Sequence, residues 1–263
     1  MPDFLSFAES LAREAGALLR EGYGKVSNVE YKGVVDLVTE YDRLSEELIL
    51  SRLRAAFPTH RLYAEESGKS GQAGDYEWLV DPLDGTVNFA HGVPIFAVSL
   101  ALTYRRQLVM GVVYDPMRDE LFAAEAGQGA TLNGRRLRVS AERELSRSLL
   151  ATGFPYDVRT SPQNNFAEFV AFYRRSQAVR RAGSAALDCC YVACGRFDGY
   201  WEYKMKPYDI GAAALMVREA GGRVTTAEGD ENFLGAPSIV ASNGHIHEQM
   251  LRVLREGENA PLP

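Results

Sequence analysis

The residues most able to do chemistry lie in one run, Trp78-Leu79-Val80-Asp81-Pro82-Leu83-Asp84-Gly85-Thr86-Val87-Asn88-Phe89. Trp78, Leu79 and Val80 read as a buried strand. Pro82 biases Asp81 towards extended backbone, so the strand ends there. Asp84 and Gly85 then turn the chain, and Gly85 can take a positive φ that lets the backbone approach a ligand. Two carboxylates three residues apart at a strand end can converge on a hard cation. The amides of Gly85 and Thr86 would open a short helical segment, which suits a phosphate group. Read alone, each half of this string is an ordinary Asp-Pro or Asp-Gly turn.

Three further acidic segments change that balance. Asp36-Leu37-Val38-Thr39-Glu40-Tyr41-Asp42 opens a helix. Ala64-Glu65-Glu66-Ser67-Gly68 follows the strand-like Arg61-Leu62-Tyr63. Pro207-Tyr208-Asp209-Ile210-Gly211-Ala212-Ala213 opens a helix that ends at Gly221-Gly222. Singly, Asp42 reads as a solvated helix residue, Glu65-Glu66 as a surface pair and Asp209 as an N-cap. Their coincidence with the first run points to oxygen donors gathered around a hard cation. No His or Cys cluster accompanies them, so Mg²⁺ or Mn²⁺ is favoured over Zn²⁺.

The elements that must position these residues follow from periodicity. An amphipathic helix is expected over 4–21, with Leu5, Ala8, Leu11, Ala12, Ala15 and Leu18 on one face, ended by Gly22 and Gly24. A second is expected over 39–57, with Leu44, Leu48, Ile49 and Leu53 as its stripe. Strands over 96–104, 108–114 and 120–124 make an antiparallel meander, and Asn133-Gly134 signals a hairpin. Gly127-Gln128-Gly129 lacks the βαβ setting of a nucleotide loop and reads as a turn. Beyond residue 149 the pattern alternates. Strands are expected at 149–151, 199–203 and 238–241, and helices at 162–174, 184–194 and 210–220, with a last helix starting near His245. The expectation is one unit over 1–263: an α+β half (1–148) carrying the metal motifs, and an α/β half (149–263) carrying the substrate pocket and the last metal ligand.

The bulk numbers agree with an ordinary globular protein. The chain has 263 residues, 46% hydrophobic and 24% charged, with a formal net charge of −6. An acidic surface argues against nucleic acid as the main ligand. It does not argue against a small phosphate ester held through a metal. The start, Met1-Pro2-Asp3-Phe4, lacks a basic region followed by an apolar core, and no apolar run approaches the roughly 20 residues of a membrane span. A cytoplasmic protein without membrane attachment is expected. Cys189, Cys190 and Cys194 read as reduced thiols in a helix rather than a metal site or a nucleophile. The histidines, His60, His91, His245 and His247, look unrelated to catalysis, and His245 and His247 are expected at the surface.

Taken together, the chain resembles the inositol monophosphatase family over its whole length. The resemblance is carried by 36–42, 64–67 and 78–88, by Arg181-Ala182-Gly183-Ser184-Ala185-Ala186 and Trp201-Glu202, and by 208–222. It implies the layered αβαβα sandwich shared with fructose-1,6-bisphosphatases, of mixed α+β and α/β character, and a homodimer. It implies two or three Mg²⁺ per site, with Mn²⁺ as a possible substitute. Glu65, Asp81 and the Leu83 carbonyl would hold the first ion, and Asp81, Asp84 and Asp209 the second. Glu65 would also hold a looser third. Thr86, held by Asp42, would orient and deprotonate the attacking water. Gly85 and Thr86 would meet the phosphate. Gly183, Ser184, Ala185 and Glu202 match positions of the family that contact sugar or cyclitol hydroxyls, and Lys32, counted with them as substrate-binding, matches a position near the metal site. Tyr208 stands where the family often has Trp.

The resemblance implies Mg²⁺-dependent, lithium-sensitive hydrolysis of a small phosphorylated polyol or sugar, with inositol 1-phosphate first. Fructose 1,6-bisphosphate, histidinol phosphate or a 3′-phosphonucleotide are the alternatives within the superfamily. A different class is a scaffold that keeps this fold to bind a macromolecular partner.

Overall fold

The computed structural model describes residues 3–26, 28–31, 33, 37–72 and 74–260. Lys32 and Asp36 lie outside the described residues. In chain order the elements are α1 (Phe4–Gly22), β1 (Val29–Tyr31), β2 (Leu37–Thr39), α2 (Glu40–Ala56), β3 (Arg61–Ala64), β4 (Gly68–Gly71), β5 (Tyr76–Asp84) and α3 (Thr86–Ala90). There follow β6 (Ala97–Tyr104), β7 (Gln107–Asp115), β8 (Glu120–Glu125), β9 (Gly129–Leu132), β10 (Arg135–Arg136) and β11 (Leu149–Thr152). The remainder is α4 (Phe166–Tyr173), β12 (Ala178–Arg180), α5 (Ala185–Ala193), β13 (Gly199–Tyr203), α6 (Pro207–Glu219), β14 (Arg223–Thr225), β15 (Ser238–Ser242) and α7 (His247–Glu256).

These pack as five layers. α1 and α2 cover one face of an eight-stranded sheet of order β10-β9-β8-β7-β6-β5-β3-β4. α5 and α6 lie between that sheet and a five-stranded one of order β12-β11-β13-β15-β14, whose outer face carries α4 and α7. Three apolar cores hold the layers together, the second running through the α5 and α6 layer to both sheets. Leu19, Ile49, Leu53, Trp78 and Phe96 fill the first; Phe122, Leu187, Ile210 and Met216 the second; Phe172, Trp201 and Met250 the third. The expected αβαβα arrangement is the one observed. Among the described residues no helix is long and apolar enough to cross a membrane.

The meander is present, running antiparallel from β5 to β10. The exception to it matters more. β3 runs parallel to β5, with Ala64 opposite Val80. The residue after β3, Glu65, therefore leaves the sheet beside Asp81, and the Glu65 amide donates to the Val80 carbonyl at 3.1 Å. A parallel pair carries both acids to the same sheet edge, where an antiparallel pair would have put them at opposite ends.

Several expectations need correction. Leu44 is 46% exposed. The buried face of α2 runs instead through Asp42, Ser45, Glu46, Ile49, Leu50 and Leu53, a helical spacing that includes three polar residues. The helix expected over 162–174 begins only at Phe166, because Asn165 takes φ 70° and spends its side chain on Thr152, Gly153 and Trp201. The last helix starts at His247, and His247 is fully buried. Its ring nitrogens lie 2.9 Å from the Thr225 hydroxyl and 2.8 Å from that of Ser242, and burial pushes its pKa down to about 4. It is a neutral core histidine tying α7 to β14 and β15.

Candidate active site

A cavity of about 430 Å³ opens where the layers meet. β5 reaches it through an irregularity between Asp81 and Asp84, where pairing with β6 slips. Asp81 is 2% exposed and turns one oxygen back to the Leu83 amide at 3.1 Å. Gly85 takes φ 97°, and a Cβ there would lie 2.9 Å from the Ile95 carbonyl oxygen, so no other residue fits this turn without displacing backbone. Asn88 then ties the turn across to the second half, donating to the carbonyls of Ile95 and Ala182, each at 2.8 Å.

Asp42 approaches from the start of α2. Its Oδ2 accepts from the Thr39 amide at 2.7 Å and hydroxyl at 2.6 Å, closing the helix cap. Its Oδ1 accepts from the Thr86 hydroxyl at 2.8 Å. The Leu83 carbonyl is a second acceptor for that hydroxyl at 3.0 Å. Asp42 is fully buried behind Thr86 and does not line the cavity.

Asp84 faces the start of α5. Its carboxylate accepts from the Ser184 hydroxyl and from the Ala186 amide at 2.8 Å. A negative group at a helix start is favourable. Asp209 is not the N-cap of α6 but its third residue, and accepts from the Lys206 amide at 2.6 Å. Glu202 comes from β13 and accepts from the Tyr200 hydroxyl. Gly153 makes room for it: a Cβ there would sit 2.2 Å from both Glu202 carboxylate oxygens. Tyr208 stacks edge-on with Tyr63, ring centres 5.1 Å apart, and lines the same cavity.

The cavity thus gathers Glu65, Asp81, Leu83, Asp84, Gly85, Thr86, Gly183, Ser184, Ala185, Glu202 and Asp209. Lys32 is the one expected residue for which no position is described. Among the described residues, no three or more His, Cys, Asp or Glu close around one point, and Asp81, Asp84 and Asp209 each accept a backbone amide. The donor set nevertheless fits a hard cation. Seven carboxyl groups line the cavity against three cationic side chains, Arg181, Lys204 and Lys206, and Lys204 is paired with Asp157 at 2.7 Å. Withdrawal from water pushes the Asp84 carboxyl up to about 6 and that of Asp209 to about 8. Asp81 is raised well above the carboxylate range by the same cause, followed by the nearby Glu65, Asp84 and Asp209. A dianionic phosphate could share this space only with added positive charge.

Sequence reasoning missed the supports. Glu46, on the buried face of α2, accepts from the amides of Glu66 at 2.8 Å and Ser67 at 2.9 Å, and so fixes the loop that carries Glu65. Ser45 donates to the Pro82 carbonyl at 2.8 Å and fixes the other side. The available signal was polar residues at core spacing from Ile49 and Leu53. Asp188, in α5, also lines the cavity.

Residues 1–259 match the model of the inositol monophosphatase family. The chain is 44% identical over 264 residues to the Nus factor SuhB of Pseudomonas aeruginosa, covering 97% of each. It is 44% identical to the inositol-1-monophosphatase of Synechocystis, covering 95% of this chain and 88% of that one. The structure of an inositol monophosphatase from Anabaena (Nostoc) superposes with a TM-score of 0.87 at 44% identity, covering 97% of this chain and 96% of that one.

Proposed function

The chain belongs to the inositol monophosphatase family, and from this premise we propose that it hydrolyses a small phosphorylated polyol, inositol 1-phosphate first, with Mg²⁺. The observation that carries the reading is the parallel β3–β5 edge, which sets Glu65 beside Asp81 in a cavity that Asp84, Asp209 and Glu202 also line.

Glu65, Asp81 and the Leu83 carbonyl would hold one Mg²⁺, and Asp81, Asp84 and Asp209 a second; Glu65 would also hold a looser third, and Mn²⁺ would serve the same oxygen donors. Bound there, the ions would supply neutralising charge for the phosphate and a lowered pKa for water. The chain's own residues do the rest. The Thr86 hydroxyl spends its proton on Asp42 and so offers an oxygen lone pair to the attacking water. The Gly85 and Thr86 amides would meet the phosphate. Gly183, Ser184, Ala185 and Glu202 receive the hydroxyl-bearing part of the substrate. Lys32 remains a candidate at the metal end.

A substrate panel tests this reading. Inositol 1-phosphate should be turned over with higher kcat/KM than fructose 1,6-bisphosphate, histidinol phosphate or a 3′-phosphonucleotide. Millimolar Li⁺ should inhibit. A preference for any of the other three moves the assignment within the superfamily.

A second reading has its own observation, the name Nus factor borne by the Pseudomonas relative at 44% identity. In that reading the fold also serves as a scaffold for a macromolecular partner. Asp84→Asn and Asp209→Asn separate the two, since a scaffold keeps its cellular role when hydrolysis is lost. The three free cysteines suit a reducing cytoplasm, and a homodimer is the expected assembly, to be checked by light scattering.

A further inference from the structure

Asp188 is the fourth residue of α5, one turn beyond Ser184, and points to the same cavity. It is 2% exposed, and its Oδ1 has no hydrogen-bond partner. An orphaned acceptor at this depth is costly unless something fills it. The nearby charges are Glu202 and Asp84, both acidic, and Arg181. Glu202 already has Oε2 engaged by Tyr200. This corner therefore presents two carboxyl groups with open acceptor capacity, and Asp188 and Glu202 with Arg181 as their neighbouring cation leave it without the excess positive charge that a phosphate needs. The phosphate end of a ligand belongs at the cation-holding edge of β3 and β5. What this corner takes is a neutral part that donates hydrogen bonds.

We propose that Asp188 is a specificity-determining residue, its free Oδ1 accepting a hydrogen bond from one hydroxyl of a polyol phosphate while Glu202 accepts from another. The proposal rests on the phosphatase reading above and deepens it, because it names what the non-phosphate half of the substrate must carry. Two adjacent acceptors match two hydroxyls on one carbon skeleton. An ammonium group is the competing donor, and the test has an arm for it.

The experiment measures kcat/KM with Mg²⁺ for inositol 1-phosphate, for a hydroxyl-free cyclohexyl phosphate and for 2-aminoethyl phosphate, in wild type, Asp188→Ala and Asp188→Asn. The ratio of inositol to cyclohexyl ester should fall about tenfold or more in Asp188→Ala, mainly through KM. Asp188→Asn keeps an acceptor oxygen and should restore part of that ratio. Neither variant should lower the melting temperature of the ligand-free protein, since Oδ1 has no hydrogen bond to lose and the nearby Glu202 and Asp84 oppose the charge. An unchanged ratio overturns the proposal, as does a lowered melting temperature with equal losses on all esters. A selective loss on the amino ester assigns the site to a cation instead and also overturns it. Should wild type hydrolyse none of the esters, the phosphatase reading fails separately. Calorimetric binding of inositol 1-phosphate then decides: tenfold weaker binding in Asp188→Ala upholds the role, and equal or absent binding in wild type and variant ends it.

Discussion

The Thr86 hydroxyl donates to Asp42 across 2.8 Å, while the other oxygen of Asp42 is held by the amide and hydroxyl of Thr39. One carboxylate thus closes a helix cap and aims a hydroxyl into the cavity. Position and proton direction are set together, before any ligand arrives. Thr86→Ala and Asp42→Asn should each lower kcat by about 10²–10⁴-fold, the usual range for positioned acid–base assistance. Thr86→Ser should keep most of the rate. The double variant should be little worse than either single one, because residues acting as a unit are non-additive. Steady-state kinetics that show fully multiplicative losses would separate the two residues.

Glu46 holds the loop behind Glu65 without reaching the cavity itself. Glu46→Ala leaves two amides without their acceptor, a loss of about 1–3 kcal/mol. Thermal melts should show the destabilisation, and Mg²⁺ titration of activity should show a several-fold higher requirement. An unchanged Mg²⁺ requirement would mean that the loop holds its shape without Glu46.

Gly153 concerns the opposite wall. Gly153→Ala places a methyl group on the Glu202 carboxylate, which must move. Its kinetic signature should copy that of Glu202→Gln: a raised KM or a changed ranking of substrates, with the Mg²⁺ requirement little altered. A Gly153→Ala enzyme with wild-type KM for every ester would show that Glu202 does not touch the substrate.

These residues also mark what was legible in the chain. Asp81 to Asn88 could be read in part: Gly85 takes the expected positive φ, but β5 does not end at Asp81 and runs on through a slip in its pairing to Asp84. The αβαβα layering that the family resemblance implies also holds, whereas the helix and strand periods alone give the elements and not their stacking. Glu46 left only its core spacing from Ile49 and Leu53 as a signal, and Asp188 left none. Each is an acid on a helix, and only the packing of α2 and α5 against other layers buries it. His247 and Leu44 were misread for the same cause in opposite directions: one was buried, and the other exposed, by contacts distant in sequence. The parallel pairing of β3 with β5 was equally hidden, because β4 separates them along the chain.

The carboxyl cluster has a pH signature. Asp84 and Asp209 are raised in the folded protein to about 6 and about 8, against 3.8 for the free group. Their protonated forms favour the fold. That contribution is fully present below about pH 4 and is lost as pH rises through 6 and then 8. Melting temperatures in EDTA should therefore fall from pH 5 to 8.5 more steeply in wild type than in Asp209→Asn. Mg²⁺ should reverse the fall and bind more tightly as pH rises, with release of protons. Equal pH slopes in wild type and Asp209→Asn would contradict this account of the cluster.

If these carboxylates make a cation-dependent phosphatase, phosphate release from inositol 1-phosphate must follow the metal. Protein treated with EDTA and assayed in chelator should release no phosphate above background. Added Mg²⁺ should restore turnover in wild type, and restore it severely reduced in Asp84→Asn and Asp209→Asn. Full turnover by the chelated protein, or none in wild type at any Mg²⁺ concentration, would contradict the account.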